Sequence, residues 1–283
     1  MSNPNTLSAL QAKTSKIESD SMNARFFFRL FVFAVFLMIS SSAFCGASSS
    51  LKNGKVDFSL GYSAEKKFLN PACLLKNPEE WKIQYPDGEK MATAESGSYA
   101  SKFYSLYKDK SGGKWIHFAV SGGEKGISKN STHSRSELRH VSKKGDWEFD
   151  GKRILSYTMN AKSTNPDAHF WVGQIHGEST TPPLMIRVWR NAVYLELKEP
   201  GKKRNYEKIK ICGYEYGTDL NLKIVLDGKN VKVYADGVLG AEAVLPDSRK
   251  NYWKLGLYTS STQARNSDVF YEVFIKDVEV LVE

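Results

Sequence analysis

Three short stretches of the chain set cations, an imidazole and phenols at alternating positions. The first is Arg135-Ser136-Glu137-Leu138-Arg139. In a β-strand successive side chains point to opposite faces, so Arg135, Glu137 and Arg139 share one face and Ser136 and Leu138 the other. The result is a row of two guanidiniums flanking one carboxylate. Guanidinium stays charged at any working pH and binds carboxylates bidentately, so such a row could hold an acidic chain. A solvated strand face with Glu137 cross-paired would look the same in this stretch alone. In the second stretch, Gln174-Ile175-His176, the amide and the imidazole share a face and Ile175 points the other way. In the third, Tyr252-Trp253-Lys254-Leu255-Gly256-Leu257-Tyr258, the residues Tyr252, Lys254, Gly256 and Tyr258 form one row. Trp253, Leu255 and Leu257 form an apolar stripe behind it. Gly256 leaves room in the polar row for a close approach.

Elements that could position these rows are visible on either side. From about Lys55 onward the chain reads as short strands separated by turns. Val56 to Leu60 alternates, and Lys114 to Val120 places Ile116, Phe118 and Val120 opposite Trp115 and His117. Arg153 to Lys162, Ala168 to His176 and Val269 to Val282 are further strands. Leu184 to Lys198 reads as a hairpin turning at Arg190-Asn191, with Arg187 and Trp189 on one face of its first arm and Tyr194, Glu196 and Lys198 on one face of its second. That face either extends a binding groove or is plainly solvated. Leu220 to Ala235 is a second hairpin with Asp227-Gly228 at its turn, and Asp236-Gly237 marks the next. Asn70 to Lys90, with Pro71, Pro78 and Pro86, reads as loop with at most a helical turn. Helical periodicity and internal repeats are missing. Many strands with close turns predict an all-β sandwich or jelly roll of two antiparallel sheets.

The 283 residues suffice for one large all-β domain or two small ones, and no composition shift marks a second. The N-terminus is different. Arg25 precedes an almost wholly apolar run, Phe26 to Ile39, followed by the small-residue tract Ser40 to Ala47. Basic, then apolar, then small is the order of a secretory signal peptide, and the run is short for a membrane span. Residues 1–47 are therefore expected to be an N-terminal extension and leader. Met22 is an alternative start that would make residues 1–21 dispensable. A secreted protein without stable membrane association is expected once the leader is removed.

Export past Cys45 would leave Cys73 and Cys212, as one disulfide or as two buried thiols. Asn130-Ser131-Thr132 is a glycosylation sequon in a polar stretch, Gly122 to Thr132, that reads as a loop. Neither paired C-x-x-C motifs nor H-E-x-x-H occurs, so no metal and no other cofactor is expected. The formal net charge is +9, of which +7 lies beyond residue 45. A secreted basic protein suits an acidic partner. The sequence holds no recognised nucleic-acid module, which points to acidic polysaccharide rather than nucleic acid.

Taken together and in this order, R-S-E-L-R, Q-I-H and Y-x-K-x-G-x-Y resemble the alginate lyases of polysaccharide lyase family 7. The motifs span Arg135 to Tyr258, and general strand character carries the resemblance from about Lys55 to the C-terminus. It implies a β-jelly roll whose concave sheet forms the sugar groove, with residues 48–283 as the lyase domain, acting as a monomer. It also implies β-elimination at a 4-linked uronate: a base takes the C5 proton, and the C4 glycosidic oxygen leaves with a proton. The uronate carboxylate must be neutralised as charge develops on it. By resemblance Arg135, Gln174 and His176 surround that carboxylate. Tyr258 matches the family's catalytic tyrosine, proton donor to O4 and base for one epimer, with His176 the base for the other. Glu137, Arg139, Lys254 and Tyr252 would line adjoining subsites, Glu137 as a structural partner of the two arginines. Ser260 stands where the family usually has Gln, a change bearing on substrate contacts more than on chemistry. Ile175, between Gln174 and His176, goes in the family with guluronate-containing blocks. Endolytic cleavage of alginate at guluronate-containing or mixed blocks is the expected activity.

Three rivals stand beside it. A lectin-like module on the same sandwich would keep the groove but lose Tyr258 or His176, and both are present. A glycoside hydrolase needs a pair of carboxylates flanking the bond, for which Glu148 and Asp150 are the nearest candidates. A lyase for another uronate polymer, glucuronan or ulvan, would use identical carboxylate chemistry. His117, His133, His140 and His169 read as structural or surface residues.

Overall fold

Period-two alternation of apolar and polar residues, punctuated by turn residues, produces fifteen strands among the described residues. The computed structural model describes residues 68–84, 92–94, 100–121, 133–165, 167, 169–179, 181–199, 206–260 and 269–283. In chain order the first strands are β1 (Trp81–Gln84), β2 (Ala92–Thr93), β3 (Tyr104–Lys108), β4 (Lys114–Ser121) and β5 (Arg135–His140). Next come β6 (Lys152–Ser163), β7 (His169–His176), β8 (Leu184–Trp189), β9 (Ala192–Lys198) and β10 (Tyr206–Gly213). The last are β11 (Asp219–Asp227), β12 (Asn230–Ala235), β13 (Val238–Val244), β14 (Tyr252–Thr259) and β15 (Phe270–Val282). The expected leader, the Val56–Leu60 strand and the Asn130 sequon lie outside the described residues.

Two antiparallel sheets result. One has eight strands in the order β10-β9-β8-β7-β14-β5-β1-β2, the other seven in the order β13-β12-β11-β6-β15-β4-β3. Runs of neighbouring strands such as β7 to β10 alternate with crossings between the sheets, as from β4 to β5, β6 and β7 in turn, in the manner of a jelly roll. The inward faces meet in one apolar core. Leu138, Ile175, Trp253, Leu255 and Leu257 from the first sheet are shielded from solvent, as are Tyr157, Met159, Ile224, Val273 and Ile275 from the second. Each such side chain contributes roughly 1.5–3 kcal/mol by leaving water. This stripe under β14 is the one that the sequence shows. The expected faces of β4 also hold, with Ile116, Phe118 and Val120 in the core.

The hairpins form where turn residues were seen. Arg190 and Asn191, both left-handed at φ 46° and 56°, join β8 to β9. Asp236 and Gly237 join β12 to β13 at φ 47° and 79°. Two expectations are corrected. The proline-rich segment is not all loop: Trp81-Lys82-Ile83-Gln84 pairs with β5, because Pro71 and Pro78 open 3-10 turns before the strand instead of interrupting it. Cys73 and Cys212 are neither disulfide-bonded nor fully buried; Cys73 is exposed and Cys212 half-buried, both as free thiols.

Candidate active site

The eight-stranded sheet puts β14 between β7 and β5. The three stretches singled out in the sequence therefore lie side by side on its outer face. Antiparallel pairing sets Arg139 opposite Lys254 and Arg135 opposite Tyr258 across β5 and β14. Across β14 and β7 it sets His176 opposite Tyr252, Gln174 opposite Lys254 and Trp171 opposite Tyr258. Tyr206, on β10 and four strands from β14, is close enough to Tyr258 for that phenol to help raise its pKa, after burial and Glu196.

A carboxylate anchors the floor of this face. Glu137 is 2% exposed and accepts hydrogen bonds from the Gln174 amide and, at 2.7 Å, from Lys254 Nζ. Arg135 Nη1 stands 3.9 Å away. Lys254 is as deeply buried, and burial lowers its pKa while Glu137 opposes that by favouring the ammonium. Glu137 and Lys254 were expected along the sugar path; the structure makes them its buried support. The symmetric pair of arginines around Glu137 is not formed either. Arg139 turns to Asp146, with Nη2 at 3.1 Å from both carboxylate oxygens, and lies over the Tyr252 ring at 3.7 Å. Asp146 belongs to the segment after β5, a partner that strand alternation cannot reveal.

Above the floor stand the two groups expected to transfer protons. His176 stacks on Tyr252, centroids 5.3 Å apart, and its Nδ1 donates to the Gly177 carbonyl at 2.9 Å. That bond leaves Nε2 with the lone pair. Burial and the Lys254 charge pull the His176 pKa down to about 4, so the imidazole is neutral near pH 7. The Arg135 charge makes the smallest contribution to the same depression. Tyr258 is half-buried beneath the Arg135 guanidinium, 4.6 Å from its ring. His133 stacks on the phenol at 4.9 Å and Trp171 lies at 5.3 Å. His176 and Tyr258 align with β7 positions five residues apart, roughly 16 Å of backbone.

Several neighbours were not legible in the sequence. Strict alternation back from Gln174 would turn Trp171 into the core. A register shift against β8 between Trp171 and Gly173 reverses the phase, sending Val172 inward and Trp171 outward. Trp171 Nε1 then donates to Glu196 at 2.7 Å, and Glu196 also takes Arg187 Nη1 at 2.6 Å. His133 and His169, set aside as structural, stand by the phenol: His133 directly and His169 through Trp171 at 5.8 Å. The other two histidines are structural, His117 on buried Glu272 at 2.8 Å and His140 near Glu80 at 3.4 Å. Gly256 leaves no space for a ligand. At φ 135° it accommodates β5 itself, since a Cβ there would lie 2.6 Å from the Ser136 carbonyl oxygen.

The pair that a hydrolase would need is occupied otherwise. Glu148 accepts the Lys250 amide at 3.1 Å, and Asp150 takes Arg153 at 3.1 Å; both residues are exposed. Among the described residues no cluster of three His, Cys, Asp or Glu side chains is arranged to hold a metal ion. What remains is a basic, aromatic face over buried carboxylates, with an imidazole and a phenol on rigid strands. It defines a jelly-roll enzyme for acidic polysaccharide. The sequence profile of the family described as Alginate lyase matches residues 75–281, and the chain belongs to that family. It is a polysaccharide lyase acting on alginate. Solved structures agree in fold. Alginate lyase AlgAT5 from polysaccharide lyase family 7 is 25% identical with a TM-score of 0.62, over 77% of this chain and 100% of that one. The alginate lyase from Corynebacterium sp. is 20% identical, TM-score 0.60, over 77% and 100%. The marine alginate lyase AlyA1 from Zobellia galactanivorans is 20% identical, TM-score 0.59, over 75% and 99%. A comparison with curated protein sequences gave no match.

Proposed function

We propose that this lyase cuts within alginate chains at guluronate-containing or mixed blocks, using Arg135, Gln174, His176 and Tyr258 for the chemistry. The observation that carries this reading is the side-by-side placement of β7, β14 and β5, with His176 neutral and its Nε2 unprotonated. Arg135 neutralises the uronate carboxylate and the Gln174 amide, held by Glu137, donates a hydrogen bond to it. As the C5 proton leaves, the electron pair forms the C4–C5 double bond and the C4–O bond breaks. The Tyr258 phenol supplies the proton to the departing O4. His176 Nε2 accepts the C5 proton of one epimer, and the phenol serves as both base and acid for the other. Arg139 and Tyr252 border the sugar path, and Glu137 and Lys254 set its floor.

Endolytic action is supported by the sheet extending four strands to one side of β14 and three to the other, so a chain can pass the site in both directions. Ile175 is buried in the core, so it affects block choice only through the set of Gln174 and His176. Variants of a structural neighbour, alginate lyase A1-II′, are recorded in complex with product (GGG) and with substrate (GGMG). In this proposal the protein is a monomer that works outside the cell, free of membrane once processed; the basic, apolar and small residues of 25–47 support the export.

The test is ultraviolet absorbance of the unsaturated product on polyguluronate, polymannuronate, mixed alginate and glucuronan, with early product sizes. Mixed or guluronate-rich polymer should be cut first and into long fragments. Tyr258→Phe should lose activity on every block while still binding, and His176→Ala should hurt the two block types unequally. Substantial turnover by Tyr258→Phe would refute the assignment of the phenol. Release of short products only would refute endolytic action.

A further inference from the structure

The outer face of the catalytic sheet carries a second concentration of charge away from Tyr258. Trp189, at the end of β8, is half-buried and surrounded by cations: Arg187 at 4.6 Å from its ring, Arg190 at 4.8 Å and Lys208 of β10 at 5.6 Å. Tyr194 of β9 lies beside it at 6.0 Å. Arg187 is tied to Glu196, but its Nε is buried with no hydrogen-bond partner among the described residues. Arg190 meets only the exposed Asp167 at 3.2 Å, and Lys208 has no ion pair among the described residues. With Arg187 and Arg190 each set against one carboxylate, Lys208 leaves a positive charge in excess beside the indole, and an anion would relieve it.

The pairing shows what kind of anion. A single cross-strand row runs Arg135, Tyr258, Trp171, Arg187, Tyr194, Lys210, one residue per strand from β5 to β10. Five strand spacings cover roughly 24 Å. Each spacing is close to the advance of one 4-linked sugar, so a chain lying across the strands meets a new side chain at every residue. Cations and rings share that row, matching a polymer with one carboxylate and one sugar face per unit.

We infer that Trp189, Arg187 and Lys208 form a distal subsite for an acidic sugar of the chain whose cleavage occurs at Tyr258. The indole carries a sugar face, and the two cations clamp carboxylates two to four strands from the reacting bond. This rests on the proposed function and extends it: the enzyme should favour substrates long enough to span both places.

The experiment uses the mature protein and saturated uronate oligomers of defined length. KM and kcat are measured across the ladder for wild type, Trp189→Ala, Lys208→Ala and, as a control on the opposite sheet, Lys223→Ala. Wild type should show KM falling with length until the row is filled. Trp189→Ala and Lys208→Ala should lose that gain, raising KM for long oligomers roughly five- to tenfold, the scale of one stacking or charge contact. Lys208→Ala should also flatten the dependence of KM on salt. No length dependence in wild type, or an undiminished one in both variants, would overturn the subsite. Should wild type form no unsaturated product at any length, the proposed function fails separately. Calorimetric binding of the longest oligomer then decides: weaker binding in the two variants supports the subsite, and equal or absent binding refutes it.

Discussion

Replacing Glu137 by Leu should separate the floor of the site from its chemistry. Glu137 and Lys254 are each 2% exposed and 2.7 Å apart. Leu has similar bulk but no charge, so Glu137→Leu leaves a buried ammonium without its carboxylate. Breaking a buried pair from one side costs about 3–5 kcal/mol. For a domain of this size, 1 kcal/mol lowers the midpoint by about 2–4 °C, so the expected drop is roughly 6–20 °C. Lys254→Met alone should cost a comparable amount, since it strands the carboxylate. The double variant should cost much less than the two together, because an apolar pair of similar volume is often near neutral. The assay is thermal and urea unfolding of all four proteins in a double-mutant cycle, with turnover on alginate alongside. A coupling below about 0.5 kcal/mol would mean that the pair is independent, and the floor as described would be wrong. The double variant has a second use. It should fold but turn over slowly, because Gln174 has lost the carboxylate that holds its amide. A stable double variant with near-normal kcat would show that Gln174 needs no anchor.

Arg135→Ala should lower kcat by two or more orders of magnitude, roughly the loss seen when one transition-state charge donor is removed, with little change in unfolding midpoint; near-normal turnover would make Arg135 dispensable. Gly173→Ala should destabilise the fold by roughly 1–3 kcal/mol, because its Cβ would lie 2.7 Å from the Tyr157 hydroxyl, and adding Tyr157→Phe should restore most of it. Equal stability of Gly173→Ala and wild type in urea would contradict that contact. His176 has a folded pKa near 4 against an ordinary 6.5, so the unfolded chain takes the proton first as pH falls. Stability should be full above about 6.5 and drop by roughly 2 kcal/mol between pH 7 and pH 5 on account of this group. His176→Gln should flatten that part of the stability–pH curve, and an unchanged slope would place the titration elsewhere.

How much could be read beforehand depended on whether information was local. The inward stripe of Trp253, Leu255 and Leu257 and the turns at Arg190-Asn191 and Asp236-Gly237 are local, and they were visible. β1 was hidden because its four residues follow two prolines whose effect ends one residue before the strand. Sheet order was not local at all. The motifs on β5, β7 and β14 were each recognisable, but their adjacency depends on which strands cross between sheets. The bulge beside Val172 moved Trp171 to the outer face, and with it came the contacts of Glu196 and the phenol. Arg139 found Asp146 in a following segment, not Glu137 two residues away on its own face.

The position of β14 has a consequence for how the enzyme comes into being. β5 and β7 are synthesised early but do not touch; β14, near the C-terminus, is the strand that joins them. The next strand, β15, likewise sits between β6 and β4 in the other sheet. A nascent chain holds every residue of the first two motifs and still has no catalytic face. Such late, long-range pairing makes folding slow, because a large loop must close before any contact repays it. It also keeps shorter nascent chains inert: chemistry can begin only once β14 and β15 have been made and have inserted.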